Sequence, residues 1–98
     1  MRLEWDPRKD EENLEKHGIS FDEAAQLLLE TTDPMEVFDT AHSDEEDRFV
    51  AIGSVARGVI VVAFTERDDG TVRIISAREA TRREKREYEA WKVGATDR

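Results

Sequence analysis

Two stretches of the chain gather side chains able to handle a phosphate ester. In "KDEENLEKH", Lys9, Asn13 and Lys16 stand at i, i+4 and i+7, so a helix would carry them on one polar face with His17 at its edge. Ammonium groups there would attract phosphate oxygens, and the imidazole could exchange a proton near neutral pH. The same residues read as a solvated face on which Lys16 and His17 complement the negative end of the helix dipole. In the second stretch, "TERDDGTVRIISAREATRREKREYEAW", Glu66 and Arg67 close an apolar run just before the turn signal Asp68-Asp69-Gly70. A glutamate there could accept a proton, and an arginine could grip phosphate through two parallel hydrogen bonds. Pairing with Arg73 across a hairpin accounts for them equally well.

The end of that stretch is expected to be helical, with Ser76 and Glu79 forming an S-x-x-E capping box. Helical spacing then puts Ala77, Ala80, Tyr88 and Trp91 on the face that packs inward, with Glu84 in its middle. A carboxylate so placed is either paired with an arginine or held in a cleft with an elevated pKa. Arg78 and Lys85 fall on the shoulder of the apolar face. Arg82, Arg86 and Arg83 point progressively outward, where Glu79–Arg83, Arg83–Glu87 and Lys85–Glu89 would neutralise much of the charge. Tyr88 could place a phosphate or ribose through its hydroxyl, or serve as a core aromatic. An acidic loop holding Asp39, His42, Asp44, Glu45, Glu46 and Asp47 invites a metal-site reading, but it lacks the glycine and spacing of an EF-hand loop. It reads as a solvated loop or a docking surface for a basic segment.

The elements that must position these groups follow from local signals. "RLEW" reads as a short strand, and Asp6-Pro7 as a capped helix start. That helix runs through residue 17 and ends at Gly18 in a left-handed cap. Ser20 and Glu23 open a second helix whose Phe21, Ala24, Ala25 and Leu28 recur at helical spacing. The two should form an αα-hairpin. "MEVFD" is the next strand; "RFVAIGSV", "GVIVVAFTE" and "TVRIISA" follow, separated by Arg57-Gly58 and Asp69-Gly70 turns, as a meander would be. The order β-α-α-β-β-β-β-α predicts an α+β domain, one unit over residues 1–98, with helices packed on an antiparallel sheet.

The chain has 98 residues, enough for one core, and no cysteine, which removes disulfides and thiolate metal ligands. No apolar run reaches membrane-spanning length and nothing resembles a signal peptide, so a soluble cytoplasmic protein with no membrane contact is expected. The formal charge is −9, but residues 1–47 carry four basic and sixteen acidic side chains while residues 48–98 carry eleven and eight. A domain so polarised can present a positive face despite its total. Net acidity weighs against tight unassisted binding to nucleic acid.

Several spaced residues together resemble one family. Trp5, Asp6, Lys9, Asn13, Lys16, His17, Gly18 and Phe21 match the N-terminal pattern of BrnT-type toxins of bacterial type II toxin–antitoxin systems. Thr65, Glu66, Arg67, Arg73, Ile75, Ser76, Ala77, Arg78, Ala80, Glu84 and Tyr88 match its C-terminal part, and "HSDEEDRFVAIG" its middle. The resemblance implies a RelE-like fold, endoribonuclease activity without metal or other cofactor, and a cognate antitoxin with a ribbon-helix-helix part, BrnA-like, through which alone operator DNA would be bound. Under it, Arg67 and Arg78 are expected to clamp phosphate with Lys9, Asn13, Lys16 and Lys85 in support. His17 or Glu66 would accept the proton and Tyr88 would position RNA, in a cleft between the sheet, the first helix and the last. The strong acidity departs from the family, whose members are commonly near neutral or basic. It motivates a second expectation, a toxin-shaped binding module that pairs with an antitoxin as co-repressor.

Overall fold

A computed structural model describes residues 2–30, 35–38 and 48–96. The elements are β1 (Arg2–Glu4), α1 (Pro7–His17), α2 (Phe21–Glu30), β2 (Met35–Phe38), β3 (Arg48–Val55), β4 (Gly58–Glu66), β5 (Thr71–Glu79) and α3 (Arg82–Thr96). This is the expected order. The acidic loop of residues 39–47 lies outside the described residues.

Local chemistry sets the N-terminal helices as their sequences suggest. Asp6 accepts from the Arg8 N–H at 2.9 Å with Pro7 at the first helical position. Gly18 takes φ 70° and donates its N–H to the Leu14 carbonyl at 2.8 Å, the left-handed ending that only glycine adopts without strain. Ser20 caps α2 through the Glu23 N–H at 3.2 Å. The Glu23 carboxylate does not complete a box. It makes a two-pronged bridge to Arg57 in the β3–β4 turn, at 2.7 and 3.0 Å. Asp10 of α1 accepts the Phe21 N–H at 2.7 Å and so joins the two helices.

The strands form one five-stranded sheet in the order β1-β5-β4-β3-β2. β2 through β5 are antiparallel neighbours in chain order, with short turns between β3 and β4 and between β4 and β5, but β1 runs parallel to β5, pairing Leu3 with Val72. The sheet is therefore mixed: the expected antiparallel strands are joined by one parallel edge strand, β1. The α1–α2 segment carries the chain from one sheet edge to the other, so the first strand ends beside the last. Turn signals constrain only neighbours in sequence and are silent on that pairing.

Alternation along the strands sorts the apolar side chains into two layers. Ala51, Ile60, Val62, Phe64, Val72, Ile74 and Ala77 pack with Ile19, Phe21, Ala24, Leu27 and Leu28 of the α2 side. Phe21, Ile19 and Leu27 are fully buried, each stabilising by about 1.5–3 kcal/mol relative to exposure. A Cβ on Gly53 would meet the tip of the Leu27 side chain, which would have to turn aside. The other layer is smaller: Ile52, Val61, Ala80 and Tyr88, with Val50, Val59 and Trp91 against them. It seats α3 on the opposite side of the sheet from α2.

Candidate active site on the half-covered sheet face

Among the described residues, the α3 side of the sheet is only partly covered. Beyond the Tyr88 cluster a pocket of about 280 Å³ opens, lined by Arg48, Val50, Val61, Ala63, Ile75, Ser76 and Arg78. Its floor comes from three adjacent strands and is apolar, with a guanidinium group from β3 and another from β5. A bulge in β5 shapes it. Ala63 pairs with Ser76 and Phe64 with Ile74, leaving Ile75 as the extra residue. Ile75 and Ser76 thus both face the pocket, whereas Ile74 and Ala77 on either side enter the α2-side core.

This places the start of the last helix elsewhere than expected. Ser76 and Glu79 belong to β5, where Glu79 pairs with Ile60 of β4, and they form no capping box. The box is made five residues later. Thr81 accepts the Glu84 N–H at 3.1 Å, and the Glu84 carboxylate returns to the Thr81 N–H at 2.9 Å. Ala77 and Arg78 are therefore strand residues. Only Tyr88 and Trp91 of the expected helical face sit on α3 against the sheet.

Arg78 and Glu84 meet in a two-pronged ion pair, Nη1 to Oε1 at 2.7 Å and Nη2 to Oε2 at 2.8 Å. Of the two readings open for Glu84, pairing is the one realised. The Arg78 hydrogen bonds outweigh the opposing effect of burial and, with the Thr81 N–H, hold the Glu84 carboxyl down at about 2. Arg78 Nη1 also donates to the Glu79 carbonyl at 3.3 Å.

The remaining expected site residues are dispersed. Asn13 is 6% exposed and does not face a ligand. Its amide donates to the Ile19 and Ala77 carbonyls, each at 2.8 Å, and accepts the Ala77 N–H at 3.0 Å. Described pairing with β1 covers only Thr71–Arg73 of β5, so Asn13 supplies at Ala77 what a neighbouring strand would. Lys9, Lys16 and His17 are exposed on α1, and none of them lines the pocket. The expected cleft between α1 and α3 does not form, because α3 lies across the sheet from the core that α2 and the α1–α2 link build. Lys85 is exposed on α3, outside the pocket lining. Tyr88 is 5% exposed, stacked on Trp91 at 6.1 Å between ring centres, with the Lys92 ammonium 5.8 Å from its own. It is a core aromatic.

Glu66 is exposed at the end of β4 and aligned with Val72. Arg67 does not pair with Glu66 or across to Arg73. Arg67 and Arg73 instead flank Glu4 of β1, at 3.2 and 3.9 Å. These pairs are exposed and stabilise weakly, by about 0–1 kcal/mol. Arg48 was not singled out from sequence, though alternation in "RFVAIG" sets it on the same face as Val50 and Ile52. Its strand partner is Thr65, whose other partner is Arg73, so Arg48 and Arg73 are about 10 Å apart at two strand spacings.

Fold and site together define a small α+β protein that presents arginines on a half-covered mixed sheet. Residues 5–84 match the family model described as "Ribonuclease toxin, BrnT, of type II toxin-antitoxin system". Among solved structures, the chain is similar to the ribonuclease toxin BrnT of Brucella abortus, at 26% identity and a TM-score of 0.60, covering 84% of this chain and 99% of that one. No curated protein sequence matches. The chain belongs to the BrnT family of type II toxin–antitoxin ribonuclease toxins.

Proposed function

We propose that the protein is an endoribonuclease that cuts RNA at the sheet-face pocket without a metal, so arresting translation and growth in the cytoplasm until its antitoxin binds. The observation that carries this reading is the pair of arginines, Arg48 and Arg78, at the wall of an apolar pocket in an otherwise acidic chain. Attack of a ribose 2′-hydroxyl on phosphorus builds negative charge on the non-bridging oxygens. Fixed guanidinium groups stabilise that charge most where water is partly excluded, as over Val50, Val61, Ala63 and Ile75.

Arg78 is the phosphate-binding group, and Arg48 replaces Arg67 as its companion. Arg67 with Arg73, and Lys9 with Lys16, lie outside the pocket and guide the flanking strand. Among the described residues no carboxylate or imidazole lines the pocket, so His17 and Glu66 act as proton acceptors only if the RNA path reaches them. The apolar floor suits a nucleobase beside the reacting phosphate.

The partner is a cognate antitoxin of the ribbon-helix-helix, BrnA-like kind, and the pair represses its own operon through the antitoxin's DNA contacts. The exposed acidic side chains of α1, Glu11, Glu12 and Glu15, favour a basic antitoxin segment there. The same acidity supports a second reading, a co-repressor with little catalysis. Purified protein freed of antitoxin should cleave RNA in EDTA. Intact RNA across salt conditions, with no growth arrest on expression of the toxin alone, would establish the co-repressor instead.

A further inference from the structure

Arg78 has a guanidinium with five N–H donors, and three of them are committed. Nη1 and Nη2 grip the two oxygens of Glu84 end-on, and the second Nη1 proton goes to the Glu79 carbonyl. The Nε–H and the other Nη2–H remain. These lie side by side on one edge of the planar group, the fork that matches two oxygens of a phosphate. The residue lines the pocket, and its side chain is 41% exposed. Glu84 is in turn fixed by the capping box, since the oxygen that accepts from Nη1 also accepts the Thr81 N–H.

We propose that Glu84 is a positioning residue: it locks the Arg78 guanidinium so that its Nε/Nη2 edge is presented to an RNA phosphate in the sheet-face pocket. The inference rests on the ribonuclease reading above. An unanchored arginine must lose the freedom of several torsions as it meets the phosphate. Here that freedom is already lost in the free protein, and it is lost to the first turn of α3. The pair therefore does not mask Arg78, because the edge used by Glu84 is not the edge used by the ligand.

Glu84→Gln keeps an oxygen for the Thr81 N–H but can hold only one of the two Arg78 nitrogens. Thr81→Ala weakens the same helix end and leaves the ion pair. With wild-type protein cleaving RNA, Glu84→Gln should lower kcat by about tenfold, the entropy of one immobilised long side chain. Thr81→Ala should stay within about twofold, and adding Glu84→Gln to Arg78→Ala should change nothing further. Equal losses in both single variants, tracking their melting temperatures, would show a cap and nothing more. A kcat at or above wild type in Glu84→Gln would show masking, and either result overturns the proposal. Binding of a short 2′-O-methyl RNA oligonucleotide, which this chemistry cannot cut, gives a readout independent of turnover. If wild type cleaves nothing, the ribonuclease reading fails. The positioning role then stands or falls on whether Glu84→Gln, but not Thr81→Ala, weakens that binding about tenfold.

Discussion

Asn13 and Arg78 show how differently two matched residues of one family pattern can serve. Both were expected at the RNA; Asn13 is buried against β5, whereas Arg78 lines the sheet-face pocket. The Asn13 amide completes β5, so removing it strands the Ala77 and Ile19 backbone groups inside the protein. Asn13→Asp, which keeps an acceptor for Ala77 but loses both donors, should destabilise by about 3 kcal/mol in urea unfolding. Its folded fraction should cleave RNA as wild type does. Glu84 gives a prediction in pH. Its carboxyl is lowered from 4.5 to about 2 by the Arg78 hydrogen bonds, so its contribution is complete above the unfolded value and is lost as pH falls from about 4.5 towards 2. Melting temperatures across that window should fall more steeply for wild type than for Glu84→Gln, and parallel curves would remove the ion pair from the account of stability. Little of this was legible in sequence. Polar spacing on α1 is the same whether a residue turns to solvent or reaches a strand edge, and Arg48 stood outside any basic cluster.

At the scale of elements, the start of α3 separates local signal from tertiary demand. The segment leading into α3 offers two boxes of the same type, Ser76–Glu79 and Thr81–Glu84, and only the second caps that helix. The first is overridden because Ile60–Val62 of β4 take Ala77–Glu79 as partners. The bulge at Ile75 disguises that strand. By placing Ile74 and Ala77 on one face three residues apart, it imitates a helical period. Thr81→Ala should therefore lower stability by about 1 kcal/mol, while Ser76→Ala should change it by less than about 0.5 kcal/mol. Thermal denaturation of the two variants checks this, and a reversed order would return the helix start to Ser76. The caps of α1 and α2, and the β3–β4–β5 meander, were readable because each depends on residues a few positions apart. The parallel β1–β5 pairing was not, since it depends on how the helices carry the chain across the sheet.

At the scale of the molecule, an acidic chain gathers arginines on and around one sheet face because its charges are divided between halves of the sequence. Arg48, Arg67, Arg73 and Arg78 all come from the basic half, on strands or the turn between them, whereas α1 and α2 hold much of the acidic half. The division was visible in the sequence. What it meant in space was not, because α3 lies across the sheet from α2 and the pocket draws on β3, β4 and β5 instead of α1. No described helix is long and apolar enough to cross a membrane. The central claim is that RNA is cut at the sheet face and that Arg78 holds the phosphate there. Initial rates on one RNA oligonucleotide in EDTA, for wild type and Arg78→Ala at matched folded concentration, test it most directly. The account predicts a loss of about 10²–10³-fold in Arg78→Ala, the size of losing a fixed charge from the transition state. Rates within about threefold of each other, a difference too small for such a group, would place the chemistry elsewhere on the molecule.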